Sequence, residues 1–121
     1  MKRFKRPVGV TEEERLQIDI KKLLPRVRPY SLFVPFDLAC SVIYHTLESS
    51  DEFIVDDTKP DEIGFGAIYH LVADGVHTPT FDSTFVKSSG SSDYDPTVGV
   101  HNLITFIYDG GFHWYSIIQP V

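Results

Sequence analysis

The sequence is poor in features that would hold it together covalently or anchor it in a membrane. It has a single cysteine, Cys40, so no disulfide can form within the chain and the fold must rest on packing or on association between copies. No apolar run approaches the roughly 18 residues that a membrane-spanning helix needs. The N-terminus is basic, but no apolar stretch follows it, which argues against a secretory signal. We therefore expect a chain that is assembled in the cytoplasm and makes no contact with a membrane.

Basic residues are scarce after the first quarter of the chain. Residues 1–28 hold nine of the eleven lysines and arginines against four acids, which makes this segment +5. Residues 29–121 hold only Lys59 and Lys87 against thirteen acids, which makes the body −11. Such an asymmetry indicates two different electrostatic partners. The body should repel nucleic acid, whereas the basic arm should not.

Motifs for catalysis or metal binding are also absent from the sequence. None of the five histidines has the paired spacing of a zinc site, and the acids between 51 and 62 do not match a calcium-binding EF-hand loop. Gly64 and Gly66 lie within a strand pattern rather than before a helix, so they do not form a phosphate-binding loop. Cys40 has no obvious activating base. The sequence predicts a protein that is not an enzyme and that uses no metal and no cofactor.

The sequence contains a high share of aromatic residues, 13%, in short alternating segments that favour strands. Turn residues separate these segments, which is typical of a sandwich or a barrel. Thr11 and Glu14 match a helix capping box, but Leu16, Ile18 and Ile20 alternate as in a strand, so residues 11–24 are predicted as either one short helix or a strand. The candidate strands are Leu32–Phe36, Ala39–Thr46, Glu52–Val55, Gly64–Ala73, Thr80–Phe85, Asn102–Tyr108 and Phe112–Ile118.

The clearest local signal is a hairpin over Asn102–Ile118, in which two apolar runs flank Asp109-Gly110-Gly111. Both faces of this hairpin are apolar, whereas a strand of a free-standing sandwich usually has one wet face. We therefore expect another subunit to cover the second face. The residues predicted for this contact are Leu103, Ile107, His113, Tyr115 and Ile117.

Four features of Gly64–Ile117 are similar to a known family. They are an alternating strand ending in a small turn (GFGAIYHLVADG), a His-Thr-Pro-Thr-Phe strand, a Ser/Gly/Pro loop over Ser88–Gly99, and a final hairpin of the form Phe-x-Tyr-Asp-Gly…Trp-Tyr. This segment resembles the C-terminal domain of bacteriophage virion appendages, namely tail-fibre tips, receptor-binding proteins and head fibres. The resemblance implies a homotrimeric, antiparallel, jelly-roll-like β-sandwich that is attached through an N-terminal arm and binds host-surface glycans or decorates the particle.

We accordingly divide the chain into a docking arm, 1–30, and a β-sandwich domain, 31–121. The arm would contact other virion proteins through Lys2, Arg3, Lys5 and Arg6, in preference to nucleic acid. A ligand-facing patch is expected in the serine-rich loop, at Asp93, Tyr94 and Asp95, because no core position is expected there. Tyr115, with Trp114, is either part of a sugar-stacking platform or a core and contact residue.

The predicted function is that of a non-enzymatic virion protein, a short fibre, tip or decoration subunit. Two alternatives stay open. One is a small viral coat protein whose basic arm contacts the genome, and the other is a soluble carbohydrate-binding module. Retained nucleic acid would favour the first alternative, and glycan binding by a cellular protein the second.

Overall fold

A computed structural model describes residues 26–37, 41–64 and 66–120. These residues contain nine strands and no helix, so the all-β class expected from the sequence is confirmed for the described part of the chain. The predicted helix or strand over 11–24 lies outside the described residues. The strands are β1 Arg26–Val27, β2 Phe33–Val34, β3 Ser41–Thr46, β4 Glu52–Val55, β5 Ala67–Val72, β6 Thr80–Phe81, β7 Phe85–Lys87, β8 His101–Tyr108 and β9 His113–Ile118.

The strands form two sheets, and the chain alternates between them. The larger sheet has the order β1-β3-β5-β8-β9-β7, and the smaller sheet has the order β2-β4-β6. From β1 to β6, each odd-numbered strand therefore enters the larger sheet and each even-numbered strand enters the smaller one. Only the last three strands follow one another within the same sheet.

This alternation explains why most neighbouring strands are parallel. Parallel neighbours need a connection of a dozen or more residues, and in β1–β3, β3–β5, β2–β4 and β4–β6 a strand of the other sheet forms part of that connection. In β7–β9 the connection instead contains β8 of the same sheet. The pairs β1–β3, β3–β5, β2–β4, β4–β6 and β7–β9 are parallel. Only β5–β8 and β8–β9 have the antiparallel pairing expected from the sequence. The expected antiparallel, jelly-roll-like connectivity therefore does not describe the other five pairs.

The core contains side chains from both sheets. One row of the larger sheet places Ile43, Tyr69, Ile104 and Ile117 side by side on adjacent strands, and all four are buried. From the smaller sheet, Phe53 packs edge-on against Tyr69, with their ring centroids 5.1 Å apart. Burial of such large side chains contributes about 1.5–3 kcal/mol each to folding, so this layer accounts for much of the stability.

Two predicted boundaries change in the structure. The predicted strand Thr80–Phe85 is divided into β6 and β7 by a turn, in which Asp82 accepts hydrogen bonds from the amides of Thr84 and Phe85. At the N-terminal end, β1 pairs with β3, and Tyr30 stacks on His45 with a centroid distance of 3.8 Å. Arg26–Val27 and Tyr30, which the predicted division places in the arm, therefore contact β3.

Candidate functional site

The most unusual surface of the molecule is the side of the larger sheet that faces away from the core, which we call the outer face. Side chains alternate along each strand, and registered partners share a side of the sheet, so the strand pairings define this surface. It contains no Asp, Glu, Lys or Arg at any described position, although the body carries thirteen acids. The outer face consists of Val27, Val42, Tyr44, Thr46, Ile68, His70, Val72, Val86, His101, Leu103, Thr105, Ile107, Trp114, Ser116 and Ile118.

Large apolar side chains on the outer face remain accessible to solvent. Tyr44 is 59% exposed, Ile118 is 54% exposed and Ile107 is 44% exposed. Leu103 pairs with Ile118, and Ile107 pairs with Trp114, so these groups form contiguous pairs across β8 and β9. A contiguous, exposed apolar surface usually marks an interaction site.

The outer face continues into the β8–β9 turn, where Asp109 organises an aromatic tip. Its carboxylate accepts hydrogen bonds from the amides of Gly111 and Phe112 and from the indole Nε1 of Trp114, at 2.8, 2.7 and 2.9 Å. The hydrogen bond from the Phe112 amide and, to a smaller extent, that from the indole lower the pKa of Asp109 to about 2. The carboxylate is therefore ionised at neutral pH and fixes the orientation of Trp114. Phe112, which is exposed, lies edge-on to that ring at 5.6 Å.

A pair of histidines lies within the outer face. His70 on β5 and His101 on β8 approach each other with 2.6 Å between Nε2 of His70 and Nδ1 of His101. Tyr44 on β3 meets the His70 ring edge-on, with centroids 4.7 Å apart. Burial and, to a smaller extent, the neighbouring His101 lower the pKa of His70.

The structure corrects three of the five residues predicted for subunit contact. Leu103 and Ile107 lie on the outer face, but His113, Tyr115 and Ile117 point to the opposite side. Ile117 is buried in the core, and Tyr115 stacks on Phe81 at 3.9 Å. His113 packs edge-on against Phe36 in the core, with centroids 4.8 Å apart.

His113, Tyr115 and Ile117 face the opposite side because of the register across the β8–β9 turn. Leu103 is opposite Ile118, and Ile107 is opposite Trp114, so the residues that share their side are Trp114, Ser116 and Ile118. A shift of one residue moves a whole set of side chains to the other face. Trp114 and Ile118 are thus the residues that the sequence-based assignment missed, and the absence of charge at alternate strand positions was the signal that could have identified them.

The expected ligand patch in the serine-rich loop is also rearranged. Tyr94 is a core residue with 9% exposure, and burial raises the pKa of its hydroxyl to about 12. Asp93 forms an ion pair with Lys87, and the backbone amide of Asp95 donates to the side chain of Asn102. Tyr94 is therefore packed in the core, whereas the Asp93 side chain stays exposed and the Asp95 carboxylate accepts a hydrogen bond from the Thr97 amide within the same loop.

This loop follows β9 instead of projecting from the domain. The amides of Ser88 and Ser92 donate to the carbonyls of Tyr115 and Ile117, both at 2.9 Å, and the Ser91 hydroxyl accepts from the Ile117 amide at 2.7 Å. Small polar side chains can make such local backbone contacts, and this explains why a serine-rich segment is hydrogen-bonded to a strand. Hydrogen bonds therefore hold the serine-rich loop against β9.

The remaining surface offers a shallow pocket of about 280 Å³, which is lined in part by Arg28, Tyr30, Asp56 and Tyr69. Arg28 forms an ion pair with Asp37 at 3.0 Å, and the Tyr30 hydroxyl donates to Asp51 at 2.7 Å, so the polar groups at this end already have partners within the chain. Across residues 26–37, 41–64 and 66–120, no group of three or more His, Cys, Asp or Glu side chains could hold a metal ion.

No family model, curated protein or solved structure matches this chain. The part of the chain that the structure describes contains no helix with the length and apolar character needed to cross a membrane. The arm residues Lys2, Arg3, Lys5 and Arg6 and the lone Cys40 lie outside the described residues. The outer face and its aromatic tip therefore form the candidate functional site.

Proposed function

We propose that this protein is a non-enzymatic structural subunit that associates with copies of itself through the outer face. The observation that carries the proposal is the absence of charged residues on this face of a strongly acidic body. Two copies with a body charge of −11 repel each other, and a surface without carboxylates is where they can approach at the lowest electrostatic cost. The exposed apolar pairs of β8 and β9 then supply the favourable burial.

The particular assembly that we propose is a homotrimer in a bacteriophage virion, as a short fibre, tip or decoration subunit. The resemblance of Gly64–Ile117 to virion appendage domains supports this assignment. The aromatic contacts between the two sheets support a sandwich as the architecture. Residues 1–25 precede the edge strand β1, a position from which a basic arm can reach a neighbouring virion protein.

The test is the oligomeric state of the full chain with and without a charge on the outer face. Ile118→Lys places a cation among apolar side chains, and Val98→Lys is a matched control, because Val98 is 71% exposed in the turn before β8 and is not an outer-face residue. Sedimentation velocity at micromolar concentration should show a trimer for the wild type and for Val98→Lys, and a monomer for Ile118→Lys. A wild type that stays monomeric, or an Ile118→Lys variant that still forms the trimer, would contradict the proposal.

Glycan binding at the aromatic tip is a second candidate function. The observation that favours it is the fixed orientation of Trp114 beside the exposed ring of Phe112, since aromatic faces can stack on the apolar faces of sugar rings. A glycan array should then show binding by the wild type that is lost in Phe112→Ala but kept in Tyr94→Phe. Equal binding by wild type and Phe112→Ala would exclude the tip as the sugar site.

A further inference from the structure

The His70–His101 contact limits how many protons this part of the outer face can hold. In a neutral imidazole one nitrogen is a donor and the other is an acceptor, whereas both are donors in the charged ring. A separation of 2.6 Å between the two nitrogens therefore requires one donor and one acceptor. If both rings were charged, two N–H groups and two positive charges would face each other, and the contact would have to open.

The other described histidines have different surroundings. His77 is hydrogen-bonded to the carboxylate of Asp74, and Nε2 of His113 lies 3.3 Å from Oδ2 of Asp61. His45 is stacked on Tyr30 on the core side of the sheet. His70 and His101 are thus the two histidines whose hydrogen-bond partner is another imidazole.

The strands packed around the pair offer no opposite charge on the outer face. From β3 the titratable group is Tyr44, and from β9 the nearest registered side chain is the apolar Ile118, which pairs with Leu103. The acids Glu48 and Asp74 follow the ends of β3 and β5. Near the start of β8, the amide of Asp95 donates to Asn102, and its carboxylate accepts from the Thr97 amide. Since Asp74 is already bound to His77, a second proton on the pair would not be neutralised locally.

We propose that the His70–His101 pair makes self-association through the outer face dependent on pH. Copies associate while the pair holds at most one proton, and they separate when both rings become charged. This inference rests on the proposed function, because it assigns a regulation to the interface proposed there. The partner is therefore a second copy of this chain, and the signal is acidification.

The sign of the pH dependence of association follows from how readily the assembled and the separated subunit bind the second proton. Burial beneath another copy would remove more water from His70 and lower its pKa further. The separated subunit then binds the second proton more readily than the assembled one, so association is strongest at high pH and weakens as the pH falls through the imidazole range. For each proton taken up on separation, the dissociation constant should rise about tenfold for every unit by which the pH falls.

The experiment is sedimentation velocity of the full chain between about pH 8 and about pH 5. The proteins compared are the wild type, the double variant His70→Gln with His101→Gln, and the control His77→Gln, which alters a histidine outside the outer face. Circular dichroism at each pH establishes that the strands are retained. The wild type and His77→Gln should dissociate as the pH falls, whereas the double variant should not dissociate, since acidification also weakens the repulsion between the acidic bodies. Identical pH dependence in the wild type and the double variant would overturn the inference.

Proton NMR of the imidazole groups separates this inference from the proposed function. The pair should titrate in two steps, with the second step below the usual histidine pKa of about 6.5. If the protein is monomeric at every pH, the proposed function fails, and two-step titration would still establish the proton-sharing pair. If the protein is oligomeric but both rings titrate independently near the usual pKa, the interface stands and the regulation by this pair fails.

Discussion

At the scale of single residues, Gly66 shows how closely the backbone of one segment approaches another. A Cβ atom at this position would lie 2.1 Å from the carbonyl oxygen of Phe106 and 2.9 Å from the ring of Phe36. Real Cβ atoms do not tolerate such a distance to a backbone oxygen, so only glycine lets the entry to β5 lie against β8. The sequence pattern placed Gly66 in a strand segment but gave no sign of this contact.

Gly66→Ala should therefore destabilise the fold, because Phe106 belongs to the core and its backbone cannot move freely. We expect a loss of about 1–3 kcal/mol or more in the free energy of unfolding, as for other overpacked sites. Urea denaturation followed by circular dichroism measures this loss. Gly90→Ala is the matched control, since its Cβ would meet nothing within 4 Å, and a similar loss in both variants would contradict the explanation.

At the scale of elements, the sequence predicted most strands but not how they pair. Alternation and turn residues located β4 with both ends correct and located the β8–β9 hairpin within one residue at each strand start. Alternation is a local property, so it could not show that Ser41–Thr46 pairs with Ala67–Val72 across an intervening strand of the other sheet. The prediction of which β9 side chains share a side of the sheet with Leu103 and Ile107 was also wrong, because this depends on the register set by the turn around Asp109.

The hairpin formed by β8 and β9 should lose its tip structure in acid. The pKa of Asp109 is lowered to about 2 in the folded protein, and it is about 3.9 in an unfolded chain. Its contribution is therefore fully present above the unfolded pKa and is lost as the pH falls from about 4 to about 2. The fluorescence of Trp114, the single tryptophan, should report this change, and Asp109→Asn should show no comparable transition in that range.

At the scale of the whole molecule, charge is divided between a basic N-terminal segment and an acidic body. This division was visible in the sequence alone, since it requires only counting. The location of the charge-free surface was not, because it depends on which strands are neighbours and on their register. The outer face combines residues from the six strands of the larger sheet. Only the pairing of these strands shows that their uncharged residues form one continuous surface.

The purified protein should carry little nucleic acid, because the acidic body opposes the few cations of Lys2, Arg3, Lys5 and Arg6. The ratio of absorbance at the nucleic-acid and protein maxima, measured after nuclease treatment, tests this expectation. A variant with these four residues replaced by serine is the control. Nucleic acid that is retained by the wild type, released by salt and lost in the control would instead favour a coat protein with a genome-contacting arm.

The alternation of the chain between two sheets also has a consequence for the order of events during synthesis. Each strand from β3 to β6 pairs with a strand two positions earlier, so its template has already left the ribosome when it emerges. Both sheets can thus grow vectorially, one strand at a time, during translation. The larger sheet is completed only when β8 and β9 appear, and these two strands contribute seven of the fifteen outer-face residues. The outer face therefore stays incomplete on nascent chains, which delays contact between neighbouring chains on one polysome.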